Sequence, residues 1–278
     1  MQTTTAYDYD LDPLEIERVS VEFLAKHPDP TGQFVAVVVG PRHPLAAVAR
    51  AIERQTFEES FGNDASTMAA EYGPYEEKSL FFLVLDRRRG LPAGAGRVIE
   101  GRGAEVKTVR DATAHIGVDT TGILATHGMT GQLIWEFATI AVLPEYRGDR
   151  SGLTVSSLIY RSFLLAGARA EVRHIVAMLD RGAHRNMLLL GAPVEPLAGS
   201  QPFEYLGSAE TRALYCSFNA LAPSIARQGR RLGYPFGAIA GEIRARGLRR
   251  LLIRRVAAGV SRRVSSGKGL DRQIILAA

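Results

Sequence analysis

Residues 133–142 place the tightest constraint on this chain, because they read LIWEFATIAV with a single charged side chain among them. A run this rich in apolar, aromatic and β-branched residues predicts a buried β-strand. The strand leads into Pro144–Gly152, where two glycines mark a turn. A helical pattern follows, and the apolar residues on its common face are Val155, Leu158, Ile159, Phe163 and Ala166. The sequence is therefore organised around a strand that turns through glycines into a helix.

The other apolar segments predict an α/β (α+β) domain with a mixed sheet. Strands are predicted at 33–39, 81–85, 95–99, 174–179 and 211–218, and helices at 45–61 and 183–190. A hairpin-like connection joins the second and third strands. Residues 1–30 are interpreted as an acidic arm with one short helix, and residues 101–131 as an excursion with another. Strands interleaved with helices in this order indicate one sheet covered by helices.

Charge divides the chain into an acidic body and a basic C-terminal segment. Residues 222–278 hold twelve Arg and one Lys against Glu242 and Asp271, so they carry a net charge of +11 and the remainder carries −6. We therefore predict an N-terminal arm (1–32), a domain (33–221) and a basic amphipathic extension (222–278). Three interpretations of the extension stay open. It is a solvated tail, or a helix around 238–260 that binds an anionic membrane or an acidic carrier protein, or a nucleic-acid contact, which is unfavoured because no nucleic-acid-reading motif is present.

Several classes of site lack the residues that they need. The single cysteine, Cys216, excludes a disulfide framework, and the six histidines show no H-x-x-x-H spacing, so we expect no metal site. Neither a G-x-S-x-G elbow nor a Walker A sequence is present. The N-terminus has no basic or apolar signal region, and no apolar run reaches the ~18 residues of a membrane span. We expect a cytoplasmic protein, with at most peripheral contact at the inner membrane surface.

The turn at 147–152 has the composition of a phosphate-binding loop. It opens a predicted helix, whose free N–H groups and positive dipole end favour phosphate oxygens. Arg147 and Arg150 add charge for bidentate contacts, and Gly148 and Gly152 let the backbone approach a ligand closely. The pattern predicts a site for a phosphate-bearing ligand; the alternative is a surface turn with two solvated arginines.

Residues 135–148, WEFATIAVLPEYRG, resemble the fourth strand and following loop of the GNAT acyltransferase superfamily. Trp135-Glu136 and Arg54-x-x-Phe57 are similar to the acyl-homoserine lactone (autoinducer) synthases and the long-chain N-acyl amino acid synthases. The resemblance covers roughly residues 34–220. It implies a mostly antiparallel central sheet flanked by helices, and transfer of a medium or long acyl group to an amine. The implied donor is a thioester, either acyl-coenzyme A or acyl-phosphopantetheine on an acyl carrier protein.

The resemblance also implies how the donor is held. Its phosphates would bind the loop residues Arg147, Gly148, Asp149, Arg150, Ser151 and Gly152. Arg150 stands where the family has a glycine, and an arginine there can also bind a phosphodiester. The thioester oxygen would be held by backbone N–H groups of Ile140, Ala141 and Val142, where the fourth and fifth strands splay apart.

Glu136 is the predicted general base. A protonated amine is not a nucleophile, so a carboxylate near the acyl carbon must take a proton from it. Burial in an apolar strand would raise the pKa of Glu136 and make it a useful base. Strand alternation predicts that its side chain shares a face with Ala138, Ile140 and Val142. The alternative is a structural glutamate bonded to a neighbouring arginine.

A general acid is harder to assign. The predicted helix 183–190 contains no tyrosine to protonate the leaving thiolate. His184 or Tyr160 could substitute, or the thiolate leaves unaided, since a thiol has a pKa near ~8.5. The absent tyrosine and the arginine at position 150 also favour an alternative function. In that alternative the chain is a catalytically inactive GNAT-like binding module, attached to membrane or nucleic acid by its basic segment.

Overall fold

The computed structural model describes residues 7–28, 32–147, 150–231 and 248–277, with the side chains of 150–152, 231 and 248–252 left out. The helices are α1 (Pro13–Lys26), α2 (Pro44–Phe61), α3 (Ala65–Tyr72), α4 (Lys107–Ile116), α5 (Thr120–Thr126), α6 (Arg150–Arg169), α7 (Arg181–Leu190), α8 (Phe218–Arg231) and α9 (Leu248–Ser266). The strands are β1 (Phe34–Val39), β2 (Ser79–Asp86), β3 (Leu91–Gly101), β4 (Ile134–Val142), β5 (His174–Leu179), β6 (Glu195–Pro196), β7 (Phe203–Tyr205), β8 (Ser208–Ser217) and β9 (Ile274–Leu276).

The strands form one sheet in the order β6-β8-β5-β4-β3-β2-β1-β9, with β7 paired to β8. Neighbours run antiparallel except for two parallel pairs, β4 with β5 and β1 with β9. Helix α6 covers one face of the central strands and α2 covers the other. The predicted class, a mixed and mostly antiparallel sheet flanked by helices, is confirmed.

Two glycines on β3 allow α6 to lie close to the sheet. A Cβ atom at Gly94 would lie 2.7 Å from the carbonyl oxygen of Ala141 and 2.9 Å from a methyl group of Val155. A Cβ atom at Gly96 would lie 3.2 Å from the carbonyl oxygen of Thr139. Only glycine fits the first position without a shift of backbone, so the Gly94-x-Gly96 pattern serves helix packing.

A β-bulge in β4 changes which side chains share a face. Thr139 pairs with Arg97 and Phe137 with Val98, which leaves Ala138 as the extra residue. Glu136 lies opposite Ile99, two residues from Arg97 on β3, so Glu136 and Thr139 point to the same face. The predicted alternation, with Glu136, Ile140 and Val142 on one face, is therefore wrong beyond the bulge.

Helices α2 and α7 have capping residues at both ends. Helix α2 begins at Pro44, where the His43 ring accepts the N–H of Leu45 (3.1 Å), and ends at Gly62 with φ of +76°. Helix α7 begins after Asp180, whose carboxylate accepts two backbone N–H groups, and ends at Gly191 with φ of +88°. None of the α7 residues is fully buried, so this helix covers the sheet edge only loosely.

The N-terminal segment is a packed element rather than a loose arm. Helix α1 buries Val19 and Phe23 against α2 and β3, and the ring of Tyr9 is buried beside α3. Residues 101–131, interpreted as an excursion with one short helix, contain two, α4 and α5. Both helices bury an apolar face that the scattered polar residues of this stretch obscure in the sequence.

The basic C-terminal segment belongs to the domain wherever the structure describes it. The boundary expected at residue 221 falls inside α8, α9 packs on α6 and α8, and β9 pairs with β1. Apolar residues of α9 face inward: Ala257, Ala258, Val260 and Val264 are each less than 9% exposed. The predicted extension therefore packs on the domain where it is described. Of the stretch 238–260, residues 238–247 lie outside the described part, and no helix within the described part is long and apolar enough to cross a membrane.

Candidate active site

A cleft opens where β4 and β5 diverge. The two strands pair only from Ile134 to Glu136 on β4, so within the described residues the rest of β4 has no partner on that side. The cleft has a volume of about 390 Å³ and is walled by the C-terminal end of α2, by α7 and by the β7–β8 turn. Residues 136–140 of β4 form its floor. A ligand in this cleft therefore contacts both open backbone and the Glu136 side chain.

Glu136 is buried at the base of this cleft, with 3% of the residue exposed. Its Oε2 atom accepts the backbone N–H of Thr108 over 2.6 Å. Burial raises the pKa of Glu136 to about 7, although the Lys107 ammonium and the Thr108 N–H oppose the shift. A carboxyl group with this pKa exchanges protons near neutral pH, as a general base must.

Lys107 lies beside Glu136 and is itself 3% exposed. Its ammonium contacts the carboxylates of Glu71 and Asp111 (2.9 Å for Asp111) and the hydroxyl of Tyr205. Burial alone would lower the pKa of Lys107, but Glu136, Glu71 and Asp111 together raise it, so the side chain stays charged. One cation is thus surrounded by three carboxyl groups. We call these five residues the Lys107 cluster.

A second ionic group lies deeper under the same face and is charge-balanced. Arg97 donates to Glu53 (2.7 Å) and to Glu76 (2.9 Å), and all three are fully buried. Arg50 pairs with the other oxygen of Glu76 at 3.0 Å, and the Thr139 hydroxyl donates to Glu53. Two arginines and two glutamates leave no net charge here, so this group serves as a scaffold that fixes α2, β3 and β4 together.

The predicted donor-binding residues fall partly outside the described chain. Ile140 lines the cleft, while Ala141 and Val142 pair with Ala95 and Gly94 on β3. The exposed Arg147 donates from Nε to the Val142 carbonyl oxygen over 2.6 Å. Gly148 and Asp149 lie outside the described residues. Of Arg150, Ser151 and Gly152 only the backbone, which begins α6, is described.

Helix α9 brings a further arginine to the start of α6. The guanidinium of Arg263 donates to the Thr154 hydroxyl over 3.3 Å and is otherwise exposed. Thr154 follows the predicted phosphate loop by two residues, so Arg263 adds positive charge beside that loop. The sequence offered no local signal for this contact, because the two residues are separated by 109 positions.

Of the two candidate acids, only Tyr160 lines the cleft; His184 is not among the lining residues of the described chain. Burial raises the pKa of Tyr160 to about 12, so its hydroxyl remains protonated at neutral pH. Among the described side chains, no group of three His, Cys, Asp or Glu residues is arranged to hold a metal ion.

The cleft continues into a narrower apolar cavity. Phe137, Tyr160 and Met187 line both spaces, and the volumes are about 40 Å³ for the cavity and about 390 Å³ for the cleft. The remaining lining residues are Phe163, Leu164, Ile175, Leu190, Ala192, Val194, Cys216, Leu221, Ile225, Ser261 and Val264. The Ser261 hydroxyl lies 2.8 Å from the carbonyl oxygens of Leu190 and Ala257, so the cavity presents hydrocarbon to its interior.

The Lys107 cluster was not predicted from the sequence, although one of its pairs has the spacing of a helical ion pair. Lys107 and Asp111 are four residues apart, the spacing of an ion pair on a helix, but the short helix predicted within residues 101–131 was given no bounds. Glu71 and Tyr205 are 134 positions apart and reach each other only through the fold. Of the motif Arg54-x-x-Phe57, Phe57 lines the cleft, whereas Arg54 pairs with Asp10 at 2.8 Å.

Comparison with solved structures finds proteins of similar fold. No protein-family model and no curated protein matches the sequence. The N-acyl amino acid synthase FeeM, from uncultured soil microbes, is similar in structure with a TM-score of 0.51 and 14% identity, over 69% of this chain and 94% of FeeM. The acyl-homoserine lactone synthase LasI has a TM-score of 0.43 and 14% identity, over 67% of this chain and 90% of LasI. A chain of the NatC complex bound to Gag peptide and CoA has a TM-score of 0.43 and 11% identity, over 67% of this chain and 99% of that chain.

The likeness to FeeM confirms the fold that the sequence resemblance implies. At this identity it speaks for the fold alone, and the chemistry must be argued from the residues of the cleft.

Proposed function

We propose that this protein is an N-acyltransferase that moves an acyl group from a thioester to an amine, with Glu136 as the general base. The observation that carries the proposal is a buried carboxyl group with a pKa of about 7 at the open edge of β4, in a cleft that leads into an apolar cavity. The fold shared with an N-acyl amino acid synthase supports the same class of reaction.

The chemistry balances with the groups present. The Glu136 carboxylate takes one proton from the bound ammonium and releases it to solvent, and the resulting amine attacks the thioester carbon. A C–N bond forms and the C–S bond breaks as the tetrahedral intermediate collapses. The nitrogen gives its second proton to Glu136, which is again a carboxylate, and the departing thiolate gains a proton from a donor that is reprotonated from solvent. Tyr160, protonated and at the junction of the two spaces, is our candidate donor of that proton.

The thioester oxygen would be held by backbone N–H groups of β4 between the bulge and Val142. Beyond Glu136 the described residues of this strand do not pair with β5, and Ile140 lines the cleft. Donors fixed in a strand need no reorganisation when negative charge develops on the oxygen. Of the predicted set Ile140, Ala141 and Val142, Ile140 has the strongest support from its position.

The acyl chain would enter the apolar cavity, because the described residues of its wall offer hydrocarbon contacts and no charge. Such a lining favours hydrocarbon over polar groups, and we propose a medium or long chain because this cavity of about 40 Å³ continues from the cleft. The phosphates of coenzyme A, or the phosphodiester of a carrier-protein phosphopantetheine, would lie at Arg147–Gly152. Arg263 next to Thr154 supports this placement by adding charge at the same end of α6.

If the protein were an inactive binding module, the cleft and its buried carboxyl group would have no catalytic role. A buried carboxylate kept beside a buried lysine without serving the fold would be an unfavourable arrangement, since burial of charge costs free energy. The basic segment also packs on the domain where it is described, which leaves less of it to serve as a separate tether. The arrangement therefore favours the enzyme.

Thermal stability with candidate donors tests the proposal. Acetyl-coenzyme A, dodecanoyl-coenzyme A and a dodecanoyl acyl carrier protein are compared, with free coenzyme A as the control. A donor present at a hundred times its Kd should stabilise the fold by ~2.7 kcal/mol and raise Tm measurably. We expect a larger shift with a dodecanoyl donor than with acetyl-coenzyme A, and amide product by mass spectrometry once an amine is added. Absence of any shift and of any amide would overturn the proposal.

A further inference from the structure

The charges that line the cleft bear on which amine it can accept. Among the described residues that line the cleft, Lys107 is the one cationic side chain. An ammonium has three N–H donors, and the partners of Lys107 are three: Glu71, Asp111 and Tyr205. No donor of Lys107 is left over for a ligand.

Negative charge predominates around the same position. Glu136 and Asp180 line the cleft, and Glu71 and Asp111 stand directly behind Lys107. Asp180 is occupied with the N-terminus of α7. A further cation, Arg110, pairs with Asp111 at 3.1 Å and is 54% exposed, so solvent screens its charge.

The charge-balanced Arg97 group provides no substitute. Arg97 is fully buried and its guanidinium is bonded to Glu53, Glu76 and Tyr9. Among the described residues, a carboxylate on the acceptor would therefore meet no available cation and several like charges. An ammonium would instead be attracted to the Glu136 carboxylate that must deprotonate it.

We propose that the acceptor is an amine without an α-carboxylate, an alkylamine or arylalkylamine rather than a free amino acid. This inference rests on the proposed acyl transfer and narrows its acceptor. The hydroxyl and amide groups of Thr56, Ser60, Asn186 and Ser208 on the cleft wall are available to neutral polar substituents. The Thr56 hydroxyl is buried without a hydrogen-bond partner, which marks it as a contact for such a group.

The test uses the full-length protein, dodecanoyl-coenzyme A and matched acceptors. Tyramine is compared with tyrosine, phenethylamine with phenylalanine, and tyrosine methyl ester serves as an acceptor in which the carboxylate is neutralised. We expect kcat/KM for each free amino acid to be at least a hundredfold below that of its amine, with the ester close to tyramine. Equal or better use of the free amino acids would overturn the inference and leave acyl transfer standing. Amide formation with none of the five acceptors would overturn acyl transfer, and the inference with it.

The variant Asp111→Asn tests whether negative charge around Lys107 causes this preference. Asp111→Asn keeps the shape of the side chain and removes one carboxylate from Lys107, so the ratio of tyrosine to tyramine kcat/KM should rise at least tenfold. Taking the ratio cancels any shared effect on folding or on Glu136. Glu105→Gln, an exposed carboxylate paired with Lys78 outside the cleft, is the matched control and should leave the ratio unchanged. A ratio that stays constant in Asp111→Asn would contradict the role of the Lys107 cluster.

Discussion

The Oε2 atom of Glu136 accepts the backbone N–H of Thr108, the residue that follows Lys107, over 2.6 Å. This one contact joins the first turn of α4 to β4 and fixes the carboxyl group beside an ammonium that is already neutralised by other carboxylates. Glu136 therefore remains buried without a close cationic partner of its own. Its raised pKa follows from that geometry.

The rate of acyl transfer should depend on the protonation of Glu136. Only the carboxylate can accept a proton, so kcat/KM should fall as the pH drops below the pKa of about 7. At pH 6 the rate should be roughly tenfold below the plateau, because about nine-tenths of Glu136 is then protonated. A pH–rate series from 5.5 to 8.5 with a saturating thioester measures this. A profile with no break between these limits would argue against Glu136 as the titrating base.

The buried Arg97 group should contribute strongly to stability. Arg97→Met leaves Glu53 without its cation and Glu76 with only Arg50, and removal of one partner from a buried ion pair costs about 3–5 kcal/mol. The free energy of unfolding in urea is the measurement. Arg42→Met, which removes a mostly exposed arginine paired with Glu77, should leave the urea midpoint almost unchanged. Similar losses in the two variants would show that burial of the group is not what matters.

Helix α9 should help set the length of the acyl chain. Val264 lines only the apolar cavity, so Val264→Phe should lower kcat/KM for a dodecanoyl donor at least tenfold and spare a butanoyl donor. Overpacking is expected to cost about 1–3 kcal/mol of stability as well. Val256→Phe, on the exposed side of the same helix, controls for general effects on α9. An equal loss of kcat/KM for both donors would indicate that the acyl chain binds outside this cavity.

Arg263 should strengthen donor binding through charge near the start of α6. In Arg263→Ala the KM for the thioester should rise roughly fivefold, in keeping with the loss of one exposed ionic contact, while kcat stays constant. The rise should shrink at high salt, since screening weakens the contact in the parent protein. Arg255→Ala, an exposed arginine on the same helix, is the control. An equal rise in KM in both variants would indicate that the overall positive charge of α9 matters, and not the contact of Arg263 with Thr154.

Local pattern was enough to predict the sheet and the position of Glu136 on it. The segments that form β1, β2, β4 and β5 are continuous apolar runs. A buried strand requires such a run whatever it packs against, so it can be predicted from the sequence. The packing of the C-terminal segment was not predictable in this way. Its arginines dominate the composition, whereas its inclusion in the domain depends on Ala257, Val260 and Val264 meeting α6 and α8.

Around Glu136, too, local sequence pattern predicted some features, and others depend on contacts between distant residues. A glutamate in an apolar strand already indicated a raised pKa, but the Lys107 cluster joins residues from four separate elements. The bulge at Ala138 was equally hidden, because it exists only in the register between β4 and β3. Strand alternation alone therefore assigned Ile140 and Val142 to the face of Glu136, on which they do not lie.

Glu136→Gln tests the central claim most directly, with thiol release from dodecanoyl-coenzyme A in the presence of tyramine as the measurement. The amide keeps the shape of the side chain and can still accept the Thr108 N–H, but it cannot take a proton at neutral pH. We expect turnover at pH 7.5 to fall at least tenfold, while the rise in Tm caused by the thioester stays as in the parent protein. Unchanged turnover with the thioester bound would contradict the account and remove Glu136 from the mechanism.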